Sequence, residues 1–223
     1  MFILLSAAIA PGLALFSYFY LRNQMSTEPR RTLLQTFLLG LIITFPIMFI
    51  QYVMQEEGVI TNPYIVNVLF SSTLEEFFKW LIIFVFIFRH VEFDDPYDGI
   101  LYGVAVSLGF ATVENIIYLL TFGIDTAFLR ALLPVSSHAL FGVVMGYYFG
   151  KSKFTKNRST EYLMLSLVSP LILHITYNTI MTFEKGWVYL IAPFMIYLWW
   201  VALKKVKLAH QHLIEHLFEQ NKL

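Results

Sequence analysis

Apolar residues fall in long unbroken runs along this chain, separated by short polar links. Seven runs come close to the roughly 20 residues that a helix needs to cross a bilayer. They cover 2–21, 33–54, 64–88, 99–122, 127–150, 162–183 and 187–203. No strand-like alternation competes with them, so the pattern predicts an all-α, polytopic transmembrane helix bundle of about seven spans. Pro11-Gly12 lies inside the first span, and Pro46 predicts a kink in the second. The first run has no basic flank and is too long for a signal core, so it reads as a retained span.

The links set the orientation. Those after spans one, three and five, together with the tail, carry Arg22, Arg30, Arg31, Arg89, Lys151, Lys153, Lys156, Arg158, Lys204, Lys205, Lys207 and Lys222. Those after spans two, four and six carry Lys185 alone. Positive charge stays on the cytoplasmic side, which predicts an outer N-terminus and a cytoplasmic C-terminus. Residues 1–203 read as one membrane domain. The tail 204–223 reads as an amphipathic helix, with Leu213, Ile214, Leu217 and Phe218 on the side turned to lipid at the inner surface. His210, His212 and His216 lie in this tail. His212 and His216 are four apart, as metal ligands can be, but a solvated helix face is the better reading.

Composition agrees with the membrane assignment. Of 223 residues, 58% are hydrophobic and 13% charged, whereas a soluble domain is nearer a quarter charged. The net charge is zero, and no nucleic-acid partner is expected. There is no cysteine, which excludes disulfides, thiolate metal sites and a cysteine nucleophile. Gly142, Gly146 and Gly150 form a GxxxGxxxG ridge, a signal for close helix packing.

The polar residues inside the spans carry the candidate chemistry. The run Ser71-Ser72-Thr73-Leu74-Glu75-Glu76-Phe77-Phe78-Lys79-Trp80 places two carboxylates and an ammonium in the third span. Charged groups at that depth are costly and mark function by default. Lys79 lies four after Glu75 and can pair with it on one helix face. Glu75 and Glu76 point about a hundred degrees apart, so Lys79 can orient one while the other faces water. Glu114-Asn115 lies in span four, His138 in span five, and His174 and Asn178 in span six. With alternating directions and about 1.5 Å of rise per residue, all of these fall roughly 12–17 Å below the outer surface. Four helices therefore deliver ionisable groups to one layer. Such a set suits water activation by a carboxylate, with imidazole and amide groups stabilising an oxyanion. Ser71, Ser72, Ser136 and Ser137 lie near, but such hydroxyls commonly bond their own helix backbone. The aspartates sit in links, and HExxH is absent, which argues against paired-aspartate and zincin chemistry.

The elements Glu75-Glu76-Phe77-Phe78-Lys79, Phe110-Ala111-Thr112-Val113-Glu114-Asn115, His138 and His174-Ile175-Thr176-Tyr177-Asn178 resemble the PrsW family of intramembrane proteases, related to the CAAX prenyl protease and Abi superfamily. The resemblance runs from Ala10-Pro11-Gly12 through span six. It implies a multi-pass enzyme of the bacterial cell membrane. Its substrate would be a single-span anti-sigma factor, cut first on the outer side to begin release of an extracytoplasmic-function sigma factor. Glu75 or Glu76 would activate water, and His174 and Asn178 would hold the oxyanion. Lys79, Glu114 and Asn115 would support them. The CAAX pattern has an arginine one residue beyond Lys79 and a histidine where this chain has Glu114, so His138 is the candidate replacement and a prenylated substrate is not expected. No cofactor is expected. The alternative is Zn2+ held by Glu75, His138 and His174.

Two further readings belong to other classes. Intramembrane Glu, Lys and His also build proton relays in ion-coupled transporters, although this chain shows none of their internal repeats. A scaffold could use the same charges to grip a partner helix.

Overall fold

The computed structural model describes residues 1–22, 30–58 and 60–220, and the side chains of 156 and 215–220 lie outside that description. The described residues are helical, without strands. The principal helices are α1 (Phe2–Leu21), α2 (Arg30–Glu56), α3 (Ser71–Ile82), α4 (Asp98–Phe122), α5 (Ala127–Arg130), α6 (Ser136–Phe154), α7 (Ser159–Met181) and α8 (Trp187–Gln220). Among the described residues, six helical segments are long and apolar enough to cross a membrane. The predicted third span is helical as well. It runs uninterrupted from Ile65 to Ile87, with α3 between two π-helical turns, Ile65–Phe70 and Ile83–Ile87. A third π-helical turn, Ala131–Val135, contains Pro134 and joins α5 to α6.

α4 is the centre of the bundle. It is mostly apolar and is buried along most of its length, the signature of a helix enclosed by others, and α1, α2 and α6 pack round it. Its start is fixed by the acidic link. Asp98 accepts hydrogen bonds from the Asp94 and Asp95 amides, and Asp95 from those of Tyr97 and Asp98, so side chains satisfy amides that the first helical turn leaves bare.

The glycine ridge packs as expected. A Cβ on Gly146 would overlap the Gly99 carbonyl, and one on Gly103 would overlap that of Gly142. α4 and α6 therefore meet backbone to backbone, and this sets the separation of Glu114 from His138.

The tail is not set off as a separate element. α8 continues through residue 204 without a break. Val206, Ala209 and Leu213 are buried in the common core, and the His210 ring stacks on Tyr97 with centroids 4.4 Å apart. Part of the side expected to face lipid thus faces protein. His216, Leu217 and Phe218 belong to the side chains outside the description.

Candidate active site

α3 divides its two glutamates. Glu76 faces the bundle interior and is fully buried, as is Lys79. Lys79 Nζ donates to Glu76 Oε1 at 2.8 Å and lies 3.9 Å from Glu75 Oε2. The principal ion pair is therefore the i,i+3 pair with Glu76, not the i,i+4 pair with Glu75. The same ammonium donates to His138 Nδ1 at 3.0 Å and lies 4.4 Å from the centre of the Phe110 ring. Pairing, hydrogen bonding and a ring face together offset the cost of burying this charge.

Glu75 faces a cavity of about 480 Å³. Its Oε1 accepts from Gln51 Nε2 at 3.0 Å, and its Oε2 lies 3.9 Å from His174 Nε2. The expected division holds in space, with one carboxylate locked by lysine and the other open to a polar chamber. Glu114, His138, His174 and Asn178 line the same chamber, as do Gln51, Arg130 and Tyr177. Thr126, Met181 and Trp187 place it towards the end of the bundle where α4 turns into α5 and α7 into α8.

The two histidines are held differently. His174 Nδ1 lies 2.9 Å from Glu76 Oε1. A carboxylate paired with lysine can only accept, so Nδ1 carries a proton and Nε2 turns towards Glu75. The Lys79 ammonium can only donate, so His138 Nδ1 accepts from it. His138 Nε2 then carries the proton and donates to Glu114 Oε2 at 3.1 Å. The rings meet edge to face, 5.2 Å between centroids. α6 thus brings the His138 imidazole against the Glu114 carboxylate of α4. Asn178 Nδ2 donates to Ser72 Oγ at 2.9 Å, which leaves its second N–H. Ser136 and Ser137 donate to the carbonyls of Leu132, Leu133 and Pro134, consistent with a local backbone role.

Asn115 is turned away from the chamber. It is fully buried, donates to the Ala8 carbonyl of α1 at 2.8 Å and accepts from Arg130 Nε at 2.8 Å. Arg130 and Gln51 were not picked out from the sequence. Both lie near the ends of predicted spans, where polar groups can reach water, so their position alone does not set them apart. Arg130 is nonetheless an arginine inside a predicted span, a signal that could have found it.

The metal question can be put to the donors. Ligand atoms of Glu75, His138 and His174 all lie within 4.8 Å of one another. His174 fits a ligand's usual surroundings, because its other ring nitrogen rests on a carboxylate. His138 fits less well, because its other nitrogen faces an ammonium.

A family profile described as "PrsW family intramembrane metalloprotease" matches residues 28–203. Protease PrsW of Geobacillus kaustophilus is 52% identical over 94% of this chain and 93% of its own. Protease PrsW of Bacillus subtilis is 51% identical over 94% and 96%. That of Clostridioides difficile is 28% identical over 92% and 90%. No solved structure matches.

Proposed function

The chain belongs to the PrsW family of intramembrane proteases, and from that premise we propose that it makes the outer-side cut in a single-span anti-sigma factor, with Glu75 as the base that activates water. The observation that carries this reading is the split between the glutamates. Glu76 is consumed by Lys79 and His174, while Glu75 faces the chamber beside a histidine nitrogen.

In the reaction, Glu75 takes a proton from water, and the hydroxide adds to the scissile carbonyl carbon. The carbonyl π pair moves to oxygen, where the second N–H of Asn178 donates to it and His138 Nε2–H is shared between it and Glu114 Oε2, whereas the N–H of His174, expected at this place, is held by Glu76. The proton on Glu75 passes to the amide nitrogen, directly or by way of His174 Nε2. The C–N bond breaks as the oxyanion pair returns, releasing a carboxyl product and an amine. Glu76 holds His174 in the tautomer this step needs. A buried site at the wall of a chamber favours a locally unwound substrate helix, since an intact helix hides its carbonyls in hydrogen bonds.

Zinc is the second reading, favoured by the convergence of Glu75, His138 and His174. Bound to those three residues, it would polarise the scissile carbonyl as a Lewis acid. The Lys79 contact on His138 weighs for the metal-free route. The relatives, all named proteases, lend no support to a transporter.

The test is cleavage of a single-span anti-sigma factor by the purified protein in liposomes. Wild type, Glu75→Gln, Glu76→Gln and His174→Ala are compared, each with and without a strong chelator. Glu75→Gln should lose about 10²–10⁴-fold in rate while staying folded. Chelator resistance of the wild type supports glutamate chemistry. Sensitivity reversed by added zinc overturns it in favour of the metal. Wild-type rates in all three variants would sink both mechanisms.

A further inference from the structure

Arg130 is 92% buried, with 8% of its surface exposed, and its side-chain hydrogen bond, ion pair and ring contact all return to one helix. α4 presents three groups to it in under two turns. The Asn115 amide oxygen accepts from Nε at 2.8 Å. The Tyr118 ring lies under the guanidinium, 3.9 Å from its carbon. Glu114 Oε1 lies 3.4 Å from Nη2, an ion pair in which that nitrogen makes no hydrogen bond. A planar guanidinium held by its edge and its face has little rotational freedom, which lysine could not reproduce. The cradle is itself anchored, because Asn115 also donates to the Ala8 carbonyl. α1 lies outside the segment that matches the family profile, so the chain's first helix braces the site from beyond that segment.

The other oxygen of Glu114 accepts from His138 Nε2. The Glu114 side chain is 31% exposed to the chamber. Without a partner on Oε1 it would turn towards that open side. We propose that Arg130 is a positioning residue for the cleavage reaction: it fixes the Glu114 carboxylate, and through it the orientation of His138 at the scissile carbonyl. This rests on the proposed role of His138. A contact made by Arg130 with the substrate would act on binding, whereas positioning acts on the chemical step. The two differ in kinetics.

The experiment measures kcat and KM for cleavage of the single-span substrate in liposomes, with wild type, Arg130→Met, Arg130→Lys, Glu114→Gln and the Glu114→Gln/Arg130→Lys pair. Thermal unfolding in detergent is followed for each, and all are assayed well below their transitions. Arg130→Met should lower kcat about tenfold to a hundredfold, below the roughly 10²–10⁴-fold typical of a directly acting acid or base, with KM changed less than about twofold. Arg130→Lys keeps the charge and protects against a folding failure. It should still lose about tenfold in kcat. In the Glu114→Gln background, Arg130→Lys should cost nothing further, because the carboxylate it acts through is gone. Full kcat in Arg130→Lys, full kcat in Glu114→Gln, a change in KM alone, or additive losses in the pair would each overturn the inference. Wild-type cleavage that depends on Glu75 would meanwhile leave the protease mechanism standing.

Discussion

Replacing Lys79 with methionine keeps most of the side chain's length and removes the charge that Glu76 and His138 both contact. Glu76 would be left as a carboxylate at 0% exposure without its ion-pair partner. Breaking a buried pair from one side costs about 3–5 kcal/mol. Lys79→Met should therefore be inactivated at lower temperature in detergent. The Glu76→Gln/Lys79→Met pair should recover much of that stability, because no uncompensated charge remains, yet neither variant should cleave substrate. Full stability in Lys79→Met would contradict this account of the buried pair. At this scale the sequence was informative about which residues meet and less so about how. Depth counting brought Glu75, Glu76, Glu114, His138 and His174 into one layer, because alternating helices share a vertical scale. It could not give rotation about the helix axis. Hence Asn115, adjacent to Glu114, was expected in the site and instead braces α1 and Arg130, while Lys79 chose Glu76 over Glu75.

At the scale of elements, the α4–α6 contact decides whether that layer exists. His138 rides on α6 and Glu114 on α4, and their separation follows from glycines that let the two backbones touch. Gly146→Ala puts a methyl group into the Gly99 carbonyl, and a backbone carbonyl cannot turn aside. Overpacking of this kind costs about 1–3 kcal/mol. Both the unfolding temperature and the cleavage rate should fall. Gly12→Ala is the contrasting case. Its methyl would meet Thr112 Oγ1, 2.8 Å away, a hydroxyl that can turn only by giving up its bond to the Leu108 carbonyl, a smaller disturbance than moving a helix backbone, so stability and activity should stay nearer wild type. Equal losses in the two variants would mean that the ridge is not what sets the spacing. The ridge Gly142-Gly146-Gly150 was visible in the sequence as a repeat. Its partners Gly99 and Gly103 were passed over, although they lie four apart on the facing helix. The π-helical turns flanking α3 were also not legible. They arise where tertiary packing outweighs the local preference for the α-helix, and a run of apolar residues carries no mark of that. The continuation of α8 past residue 204 escaped for a related reason: a polar stretch after an apolar one looks like the end of a span, but Val206, Ala209 and Leu213 keep the helical stripe facing protein.

For the whole molecule, the proposed cut requires the chamber to face the outside, and the positive-inside pattern makes that a statement about every link at once. The chamber wall includes Thr126, Met181 and Trp187, which flank the turns that bear Asp125 and Lys185. Val91, Asn157 and Lys207 are exposed at the opposite end. The chain has no cysteine, so single cysteines can be placed without a background. In intact cells a membrane-impermeant maleimide should label Asp125→Cys and Lys185→Cys. Val91→Cys, Asn157→Cys and Lys207→Cys should react only after permeabilisation. A uniform reversal would place the mouth of the chamber in the cytoplasm, and an outer-side cut would then be excluded whatever the chemistry of Glu75. A mixed pattern, with Val91 reactive from outside, would instead mean that the Ile65–Ile87 segment fails to cross. The labelling thus tests the crossing of the third span, the orientation and the side of cleavage together, because alternation along one chain ties the three to each other.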